Sequence, residues 1–375
     1  MLHMNLINPK KVLVFTSCSH AGKFFFCSLL DGHPNVLGVN PTKLTGSIMH
    51  IVKEAQKSGS AGMIDYIYRE VKTCFTNDNW KKYSAENTDK SFIDWVDDFG
   101  INLREQLSDK DIFSDKDIFL AIYWALYVTF YGKYKYDLEP IIFMDVHDDQ
   151  NKTDEYIKWL DEMGFEVVLL KAIRSPYIKL GSYIKITKDQ GLKPENVLRH
   201  MHYLSREVYS TVEKDYPVIR YRFEDLKLEP RVVLQRICDS MGIPWDDRLL
   251  EASLLGKPTT FVSHGEKVKG FALKQVYYTY EEYFDSLDRM KLDILFSRVN
   301  EAYDYPYMKR ERLPLDDEEI VKLFLVPFKF EKYIYFADDE SRDEFRSKLM
   351  ERARAALSGY SGEEGFDFGK YIGTK

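Results

Sequence analysis

A run of small, polar and basic residues, Thr16 to Lys23, follows the first apolar segment of the chain and has the composition of a phosphate-binding loop. Val12 to Phe15 is typical of a buried strand, and Lys23 to Leu30 is predicted to form the first helix. In such a strand–loop–helix unit, loop N–H groups and the positive end of the helix dipole converge on one concavity, where a lysine adds a full charge. The stretch therefore predicts a phosphate site; the alternative is an ordinary strand–turn–helix connection with a chance Gly22-Lys23 pair.

The loop differs from the Walker A pattern, G-x-x-x-x-G-K-[ST], which binds magnesium nucleotides. Ser17 stands at the position of the first glycine, whereas Gly22 and Lys23 are retained. Phe24 stands where a serine or threonine hydroxyl normally coordinates Mg²⁺, and its ring offers no oxygen ligand. The sequence therefore favours a phosphate site that does not use Mg-NTP, and it predicts no metal site.

A second basic residue follows a later apolar segment. Val167 to Ile173 is predicted to be a buried strand, Arg174 comes directly after it, and Pro176 takes the first position of the next helix. Ser182 lies one to two turns further along that helix, so it and Arg174 can face one anion near the helix start. From these residues alone, an arginine salt bridge and a solvated serine explain the pattern at least as well.

The elements that must position these residues alternate between strand and helix along the chain. The predicted strands are 12–15, 36–39, 141–146, 167–173 and 217–221, and the predicted helices are 23–30, 153–163, 177–187, 194–212 and 230–241. This alternation predicts an α/β fold with a P-loop NTPase-like parallel sheet flanked by helices on both faces. In such sheets ligands bind at the carboxyl ends of the strands, where both candidate anion sites are expected.

The remaining segments predict one main domain with an insertion and a C-terminal extension. Residues 1–312 form the predicted α/β domain, and residues 43–136 form a mostly helical insertion over the carboxyl edge of the sheet. A long amphipathic helix is predicted over Glu281 to Ala302. Residues 313–375 form the extension, in which Ile320 to Phe336 is predicted to be a hairpin or a partner surface and the last 15 or so residues are expected to be flexible.

Taken in order, these motifs resemble the sulfotransferase family that uses 3′-phosphoadenylyl sulfate (PAPS). The matching segments are the loop after the first strand, Ser28-Leu-Leu-Asp-Gly-His-Pro34, Arg174 with Pro176 and Ser182, Arg222-Phe-Glu-Asp-Leu226 with Glu229-Pro230 and Met241-Gly-Ile-Pro244, and Lys267-Val-Lys-Gly270. The resemblance covers about residues 10–310. It implies a sulfotransferase that moves the sulfuryl group of PAPS to a hydroxyl or amine of a carbohydrate or other small organic acceptor, releasing 3′,5′-ADP.

The resemblance also implies which residues bind the donor. The 5′-phosphosulfate group is assigned to Ser19, His20, Ala21, Gly22, Lys23 and Phe24, the 3′-phosphate to Arg174, Ser182, Lys269 and Gly270, and the neighbourhood of the adenine to Phe223. Three of these segments differ from the usual family pattern. His20-Ala-Gly-Lys-Phe24 replaces Lys/Arg-Ser-Gly-Thr-Thr, Ser175 replaces Asp or Asn, and Phe223 replaces a tyrosine. His20 thus takes the place of the basic residue that stabilises the sulfuryl group, and Lys23 is a candidate to supply that charge.

Transfer to a hydroxyl or amine also requires a general base. His147 is the leading candidate, because it follows the predicted strand 141–146 and an imidazole titrates near neutral pH. An ordinary surface histidine in an acidic turn is the alternative. Asp145 and Asp148 are further candidates for the base or for the group that orients the histidine, and His264 is a weaker one.

Composition limits the partners and the compartment. A net charge of −7 argues against a general nucleic-acid binder. The four cysteines form no C-x-x-C pair and predict neither a zinc site nor a disulfide framework. The longest uncharged run, Ile118 to Gly132, is shorter than the roughly 20 residues of a membrane span. Since no signal segment opens the chain, a cytoplasmic protein is expected. The sequence leaves a homo-oligomer open.

Two other classes of function compete with the sulfotransferase prediction. One is a P-loop kinase-like enzyme that transfers phosphate from ATP, which Phe24 disfavours. The other is a non-catalytic descendant of the fold that binds a nucleotide or a partner, which the altered loop from His20 to Phe24 motivates. The acceptor is not identified by the sequence.

Overall fold

The computed structural model of the chain describes residues 9–16, 20–38, 44–76, 91–107, 112–132, 138–146, 150–205, 215–263, 266–306, 316–358 and 370–371. The strands are β1 (Lys11–Phe15), β2 (Val36–Leu37), β3 (Ile141–Asp145), β4 (Glu166–Ile173), β5 (Val218–Arg222), β6 (Ser253–Leu254), β7 (Lys257–Pro258), β8 (Phe261–Ser263), β9 (Glu266–Val268) and β10 (Lys370–Tyr371).

The helices surround these strands in the alternating order that the sequence predicted. They are α1 (Lys23–Leu30), α2 (Ile48–Lys57), α3 (Gly59–Thr76), α4 (Ser91–Gln106), α5 (Asp115–Tyr131), α6 (Gln150–Glu162), α7 (Pro176–Thr187), α8 (Pro194–Ser205), α9 (Phe223–Leu228), α10 (Pro230–Met241), α11 (Ser286–Leu295), α12 (Ser297–Ala302), α13 (Asp317–Leu325) and α14 (Asp339–Leu357). Short 3₁₀ helices lie at Lys188–Gln190, Asp247–Leu250, Leu273–Gln275 and Lys329–Tyr333.

The central sheet is parallel throughout. Its strands lie in the order β2, β3, β1, β4, β5 and β10, so β1 is flanked by β3 and β4. The predicted fold class, an α/β protein with a P-loop NTPase-like parallel sheet, is confirmed. The carboxyl ends of β1, β3 and β4 meet at one edge, which brings the loop after Phe15, Asp145 and Arg174 into one region.

The two faces of the sheet are buried by different helices. Val12 and Val14 share a core with residues of α2, α3, α4, α5 and α6, whereas Leu13 and Phe15 share a second core with α1, α9 and α10. Because successive side chains of a strand point to opposite faces, the uninterrupted apolar run of β1 is what a strand covered on both sides requires.

The helical insertion predicted for residues 43–136 contains α2, α3, α4 and α5 within its described parts. A capping box between Ser114 and Asp117 fixes the start of α5. Every residue of α5 from Ile118 to Tyr127 is buried, which accounts for its lack of a polar face. Within the described ranges, no helix is long and apolar enough to cross a membrane.

Two predictions for the C-terminal third, a continuous helix and a hairpin, were wrong, whereas a partner surface over Ile320 to Phe336 stays a prediction. The long helix predicted over Glu281 to Ala302 is divided into α11 and α12, because a capping box on Asp285 delays the start and Phe296 leaves helical geometry. The hairpin predicted over Ile320 to Phe336 is helix α13 followed by a 3₁₀ helix. Pro327 ends α13, since the residue before a proline disfavours helical geometry and Val326 is extended.

The C-terminal extension packs against the α/β domain through a third core. Phe324, Phe330 and Phe345 lie in this core with residues of α7, α8 and α11. The backbone N–H of Tyr335 donates to Leu192 at 2.8 Å, and Arg352 donates to the carbonyl of Leu198 at 2.6 Å. Of the final residues that we expected to be flexible, Lys370–Tyr371 pair with β5, and residues 359–369 and 372–375 lie outside the described residues. Residues 206–212, the end of the helix predicted over 194–212, also lie outside the described residues.

Replacement of Phe345 by alanine tests this packing. Phe345 is 1% exposed, and truncation of a buried phenylalanine costs about 3–5 kcal/mol. We expect Phe345→Ala to lower the free energy of unfolding of the whole chain in a urea titration followed by tryptophan fluorescence. Leu325→Ala is the control, since Leu325 is 55% exposed and should change stability by less than about 0.5 kcal/mol. An early, separate transition with an unchanged main transition would contradict the shared core.

Candidate functional site

The loop between β1 and α1 turns sharply through two residues with left-handed backbone geometry. His20 has φ 67° and Gly22 has φ 83°, and the buried Ala21 lies between them. Gly22 is the N-cap of α1, so Lys23 begins the helix and its backbone lies at the positive end of the helix dipole. Ser19, assigned to the donor site by resemblance, lies with residues 17–18 outside the described residues.

Lys23 reaches across the edge of the sheet to the end of β3. Its Nζ lies 2.9 Å from Oδ2 of Asp145, and the hydroxyl of Thr45 donates to Oδ1 of the same carboxylate at 2.6 Å. The parallel register places Phe15 beside Asp145, which explains why the first helix residue after β1 meets the last residue of β3. Both oxygens of Asp145, an alternative candidate for the base, are therefore already bonded. The Phe24 ring centre lies 5.7 Å from the ammonium of Lys23.

Arg174 links three segments of the chain at the end of β4. Its Nη1 donates to the carbonyl of His20 at 3.0 Å, and its Nη2 donates to the carbonyl of Gln275 at 2.8 Å. The guanidinium lies over the ring of Phe223, 4.5 Å from the ring centre. Arg174 is 7% exposed, and its buried Nε has no partner among the described residues. Burial lowers the pKa of Arg174, although Glu224 opposes the shift.

Ser182 and His20 are brought together by the close packing of α7 against the loop. The Oγ of Ser182 lies 3.1 Å from Nδ1 of His20, and Ser182 is also hydrogen-bonded to Tyr280. The resemblance assigned these two residues to opposite ends of the donor, His20 to the sulfuryl end and Ser182 to the 3′-phosphate. In the structure, the imidazole of His20 lies at the Ser182 end of the site.

A buried histidine that the sequence did not single out lies beside this pair. His200 of α8 stacks on Tyr183 with ring centres 4.2 Å apart, and its ring centre is 5.8 Å from that of His20. Burial, with the nearby His20 and Lys179, moves the pKa of His200 well below its ordinary value. Its Nε2 has no partner among the described residues. The helical spacing of His200 gave no signal of this position.

The segment Arg222-Phe-Glu-Asp-Leu226 forms the floor of the site. The ring of Phe223 is buried between Arg174 and Gly22, so the residue assigned to the adenine neighbourhood packs against the loop itself. Glu224 accepts from the N–H of Ser175 at 3.1 Å and from the hydroxyl of Tyr305 at 2.8 Å. Burial raises the pKa of Glu224, opposed chiefly by Arg174. The carboxylate of Glu224 thus holds the start of α7.

The Lys269-Gly270 pair lies over this floor. Lys269 is exposed, and Gly270 has φ 53°. The carbonyl of Gly270 accepts a hydrogen bond from Nζ of Lys227 at 2.8 Å. Lys227, which directly follows the motif residue Leu226, was not among the residues predicted from the sequence.

The Asp31-Gly-His-Pro34 segment has a structural role at the far end of α1. The Asp31 carboxylate accepts from Tyr131, Ser253 and the N–H groups of Leu255 and Gly256 at 2.6–3.0 Å. The N–H of Asn35 donates to Nδ1 of His33, so Nε2 carries the proton that it donates to the carbonyl of Pro244 at 3.1 Å. The Asp31-Gly-His-Pro34 motif and the Met241-Gly-Ile-Pro244 motif are therefore joined through His33. Burial lowers the pKa of His33, which favours its neutral form.

Several predicted participants lie outside the described residues. These are His147, Asp148 and His264. In the part of the chain that the structure describes, no group of three or more His, Cys, Asp or Glu side chains is arranged to hold a metal ion. Three cysteines are described, Cys27, Cys74 and Cys238, and all three are buried and take no part in a disulfide.

Two of the solved structures that are similar to the chain are sulfotransferase domains. The chain is similar to the sulfotransferase domain from the Synechococcus PCC 7002 olefin synthase, at 16% identity and TM-score 0.37, over 78% of this chain and 96% of that domain. It is also similar to the sulfotransferase domain from the curacin biosynthetic pathway, at 14% identity and TM-score 0.41, over 84% of this chain and 96% of that domain. The chain resembles sulfotransferase domains. At these identities the likeness concerns the fold alone. No family model and no curated protein matches the chain.

Substitution of Gly22 by alanine tests the close approach of Phe223 to the loop. An added Cβ would overlap the Phe223 ring, and the positive φ adds strain of about 1–2 kcal/mol. Gly164→Ala is a matched control, because Gly164 has φ 76° and no atom within 4 Å of an added Cβ. We expect Gly22→Ala to lower the urea-measured free energy of unfolding by about 1–3 kcal/mol more than Gly164→Ala does, from overpacking. Equal losses would mean that the ring does not pack against the loop.

Proposed function

We propose that the protein is a sulfotransferase that moves the sulfuryl group of PAPS to a hydroxyl or amine of a carbohydrate or other small organic acceptor. The observation that carries this proposal is the buried guanidinium of Arg174, which bonds only carbonyl oxygens within the described residues and retains an unpartnered Nε. A buried cation is costly unless an anion or several acceptors compensate it. Arg174 lies with Ser182 next to the loop, where the donor's 3′-phosphate would be held.

The other end of the site fits a second anion. Lys23 and the first N–H groups of α1 lie at the carboxyl edge of the sheet. In this arrangement the donor's 5′-phosphosulfate group lies against the residues from His20 to Phe24. Phe24 provides no hydroxyl for Mg²⁺, which agrees with a donor that needs no metal ion.

The catalytic contribution of the chain is positioning and charge. PAPS supplies the sulfuryl group and leaves as 3′,5′-ADP, while the acceptor oxygen or nitrogen forms the new bond to sulfur and loses its proton to a base. Lys23 stabilises negative charge on the equatorial oxygens, as cations do in phosphoryl transfer. To do so, the ammonium of Lys23 weakens its ion pair with Asp145 and contacts the donor oxygens instead. His147, two residues beyond Asp145, remains our proposal for the base.

The proposed acceptor site lies beside the helical insertion. Thr45 at the start of the insertion bonds Asp145, which places this part of the insertion next to Lys23. We propose that the insertion shapes a site for a small molecule or glycan and that the reaction occurs in the cytoplasm. The main domain of residues 1–312 would carry the whole reaction, and the extension would support α7 and α8.

Calorimetric titration with 3′,5′-ADP tests the donor site. We expect metal-independent binding to the wild type and about 10- to 100-fold weaker binding to Arg174→Ala, because a charge-assisted hydrogen bond to phosphate is lost. Ser182→Ala, which removes only a hydroxyl, should weaken binding by about 2- to 10-fold. Arg231→Ala is the control, since Arg231 is exposed on α10 and paired with Asp247.

A parallel titration with ATP and Mg²⁺ separates the donor from its rival. Binding of Mg-ATP without binding of 3′,5′-ADP would reject the PAPS site and favour a kinase-like enzyme. Unchanged 3′,5′-ADP affinity in Arg174→Ala would reject the assignment of the 3′-phosphate to Arg174.

A further inference from the structure

Lys227 is a buried lysine at the end of α9 with an unusual set of neighbours. It is 2% exposed, and its Nζ donates to the carbonyl of Gly270 at 2.8 Å. The same ammonium lies 3.4 Å from the ring centre of Phe25, with the rings of Phe223 and Phe271 at 5.4 and 5.9 Å. Three aromatic rings and one carbonyl therefore replace the water that normally surrounds a lysine.

The charged groups around Lys227 come from two elements. Arg174, at the end of β4, is a second cation and disfavours the charge on Lys227. On α9 itself, the Glu224 carboxylate is bonded to Ser175 and Tyr305, and Asp225 is paired with Arg222. The residues that face Lys227 from α1 and from the segment after Gly270 are Phe25 and Phe271, and both are uncharged. Within the described residues, Lys227 has no carboxylate partner.

Two buried cations hold one segment of the chain, residues 266–280, which we name the clamp segment. Lys227 binds the carbonyl of Gly270, and Arg174 binds the carbonyl of Gln275 five residues later. The ring of Phe271 packs edge-to-face on Phe25, 5.2 Å between centres, beside the ammonium. The clamp segment thus rests on α1, α9 and the end of β4 through one apolar contact and two charge-assisted hydrogen bonds.

We propose that Lys227 is a positioning residue that fixes the clamp segment over the donor site. The link to the donor rests on the proposed function, because Lys269 and Gly270 are assigned to the 3′-phosphate by the family resemblance. The attachment itself rests on the Lys227–Gly270 bond and the Phe25 contact.

The effect of pH on this attachment has a definite sign. Burial and the nearby Arg174 lower the pKa of Lys227 to about 7 from its ordinary 10.5. Release of the clamp segment returns Lys227 to water and its pKa toward 10.5, so the released form binds a proton that the held form does not. The clamp segment is therefore held more firmly as the pH rises through 7. The contribution of Lys227 to global stability has the same sign. Between pH 7 and 10.5 the unfolded chain binds a proton that the folded chain does not, so stability rises with pH.

Hydrogen exchange measured by mass spectrometry on the full chain tests the proposal without any ligand. In the wild type, protection of residues 266–280, corrected for the intrinsic exchange rate, should rise between pH 6 and 8.5. In Lys227→Met, exchange of this segment at pH 6 should be about 10- to 100-fold faster, as for loss of a charge-assisted hydrogen bond, and its pH dependence should disappear. Lys291→Met is the control for loss of a buried lysine, because Lys291 bonds the carbonyl of Val326 and pairs with Asp288 in the third core.

The wild-type measurement keeps the test decisive if Lys227→Met does not fold. Wild-type protection of 266–280 that stays constant from pH 6 to 8.5 would overturn the proposal, as would equal exchange in wild type and Lys227→Met. Titration with 3′,5′-ADP then separates this inference from the proposed function. Loosening of the clamp segment in a protein whose wild type does not bind 3′,5′-ADP would support the attachment and reject the donor site. Binding of 3′,5′-ADP with an unaltered clamp segment would do the reverse.

Discussion

The burial of the Arg174 guanidinium is the interaction on which the rest of the site depends. A charge removed from water needs acceptors, and the described structure supplies the carbonyls of His20 and Gln275 and the face of Phe223. These partners belong to three segments that are far apart in the chain. One side chain at the end of β4 therefore sets the positions of the loop, the floor and the clamp segment. It also favours the left-handed geometry of His20, whose carbonyl it binds.

Buried positive charge is compensated by different groups at the two ends of the proposed donor site. At the loop end, Lys23 is paired with the carboxylate of Asp145. At the other end, Arg174 and Lys227 bond carbonyls, and both lie near the ring of Phe223. An anion that binds the second end displaces no carboxylate, whereas an anion at Lys23 competes with Asp145. The site is thus expected to recognise its ligand chiefly through the Arg174 end and to meet a cost at the end where the reaction occurs.

Local signals allowed most of the fold to be predicted. Helix α1 begins and ends as predicted because Gly22 precedes it and Asp31-Gly32 follows it, and α10 is bounded by Pro230 and Gly242 for the same kind of reason. The elements that were wrong, over 281–302 and 320–336, depend on where Asp285 caps a helix and on how Phe328 and Phe330 enter the third core. Likewise, no local pattern distinguishes Lys227 from an exposed lysine. Its burial comes from Phe25 and Phe271, about 200 and 44 residues away along the chain.

The position of Ser182 depends on the packing of the C-terminal part of the chain. Gly181 precedes it on α7, and any larger side chain there would overlap the ring of Tyr280, so α7 approaches Tyr280 as closely as a helix can. Tyr280 has φ 51° and lies in the third core with Tyr283 and Phe284, which the extension covers. The hydroxyl of Ser182, which is proposed to bind the 3′-phosphate, is therefore positioned by the third core, to which α13 and α14 contribute. A change in the extension can move Ser182 without touching the donor, because a close-packed core transmits displacements rather than absorbing them.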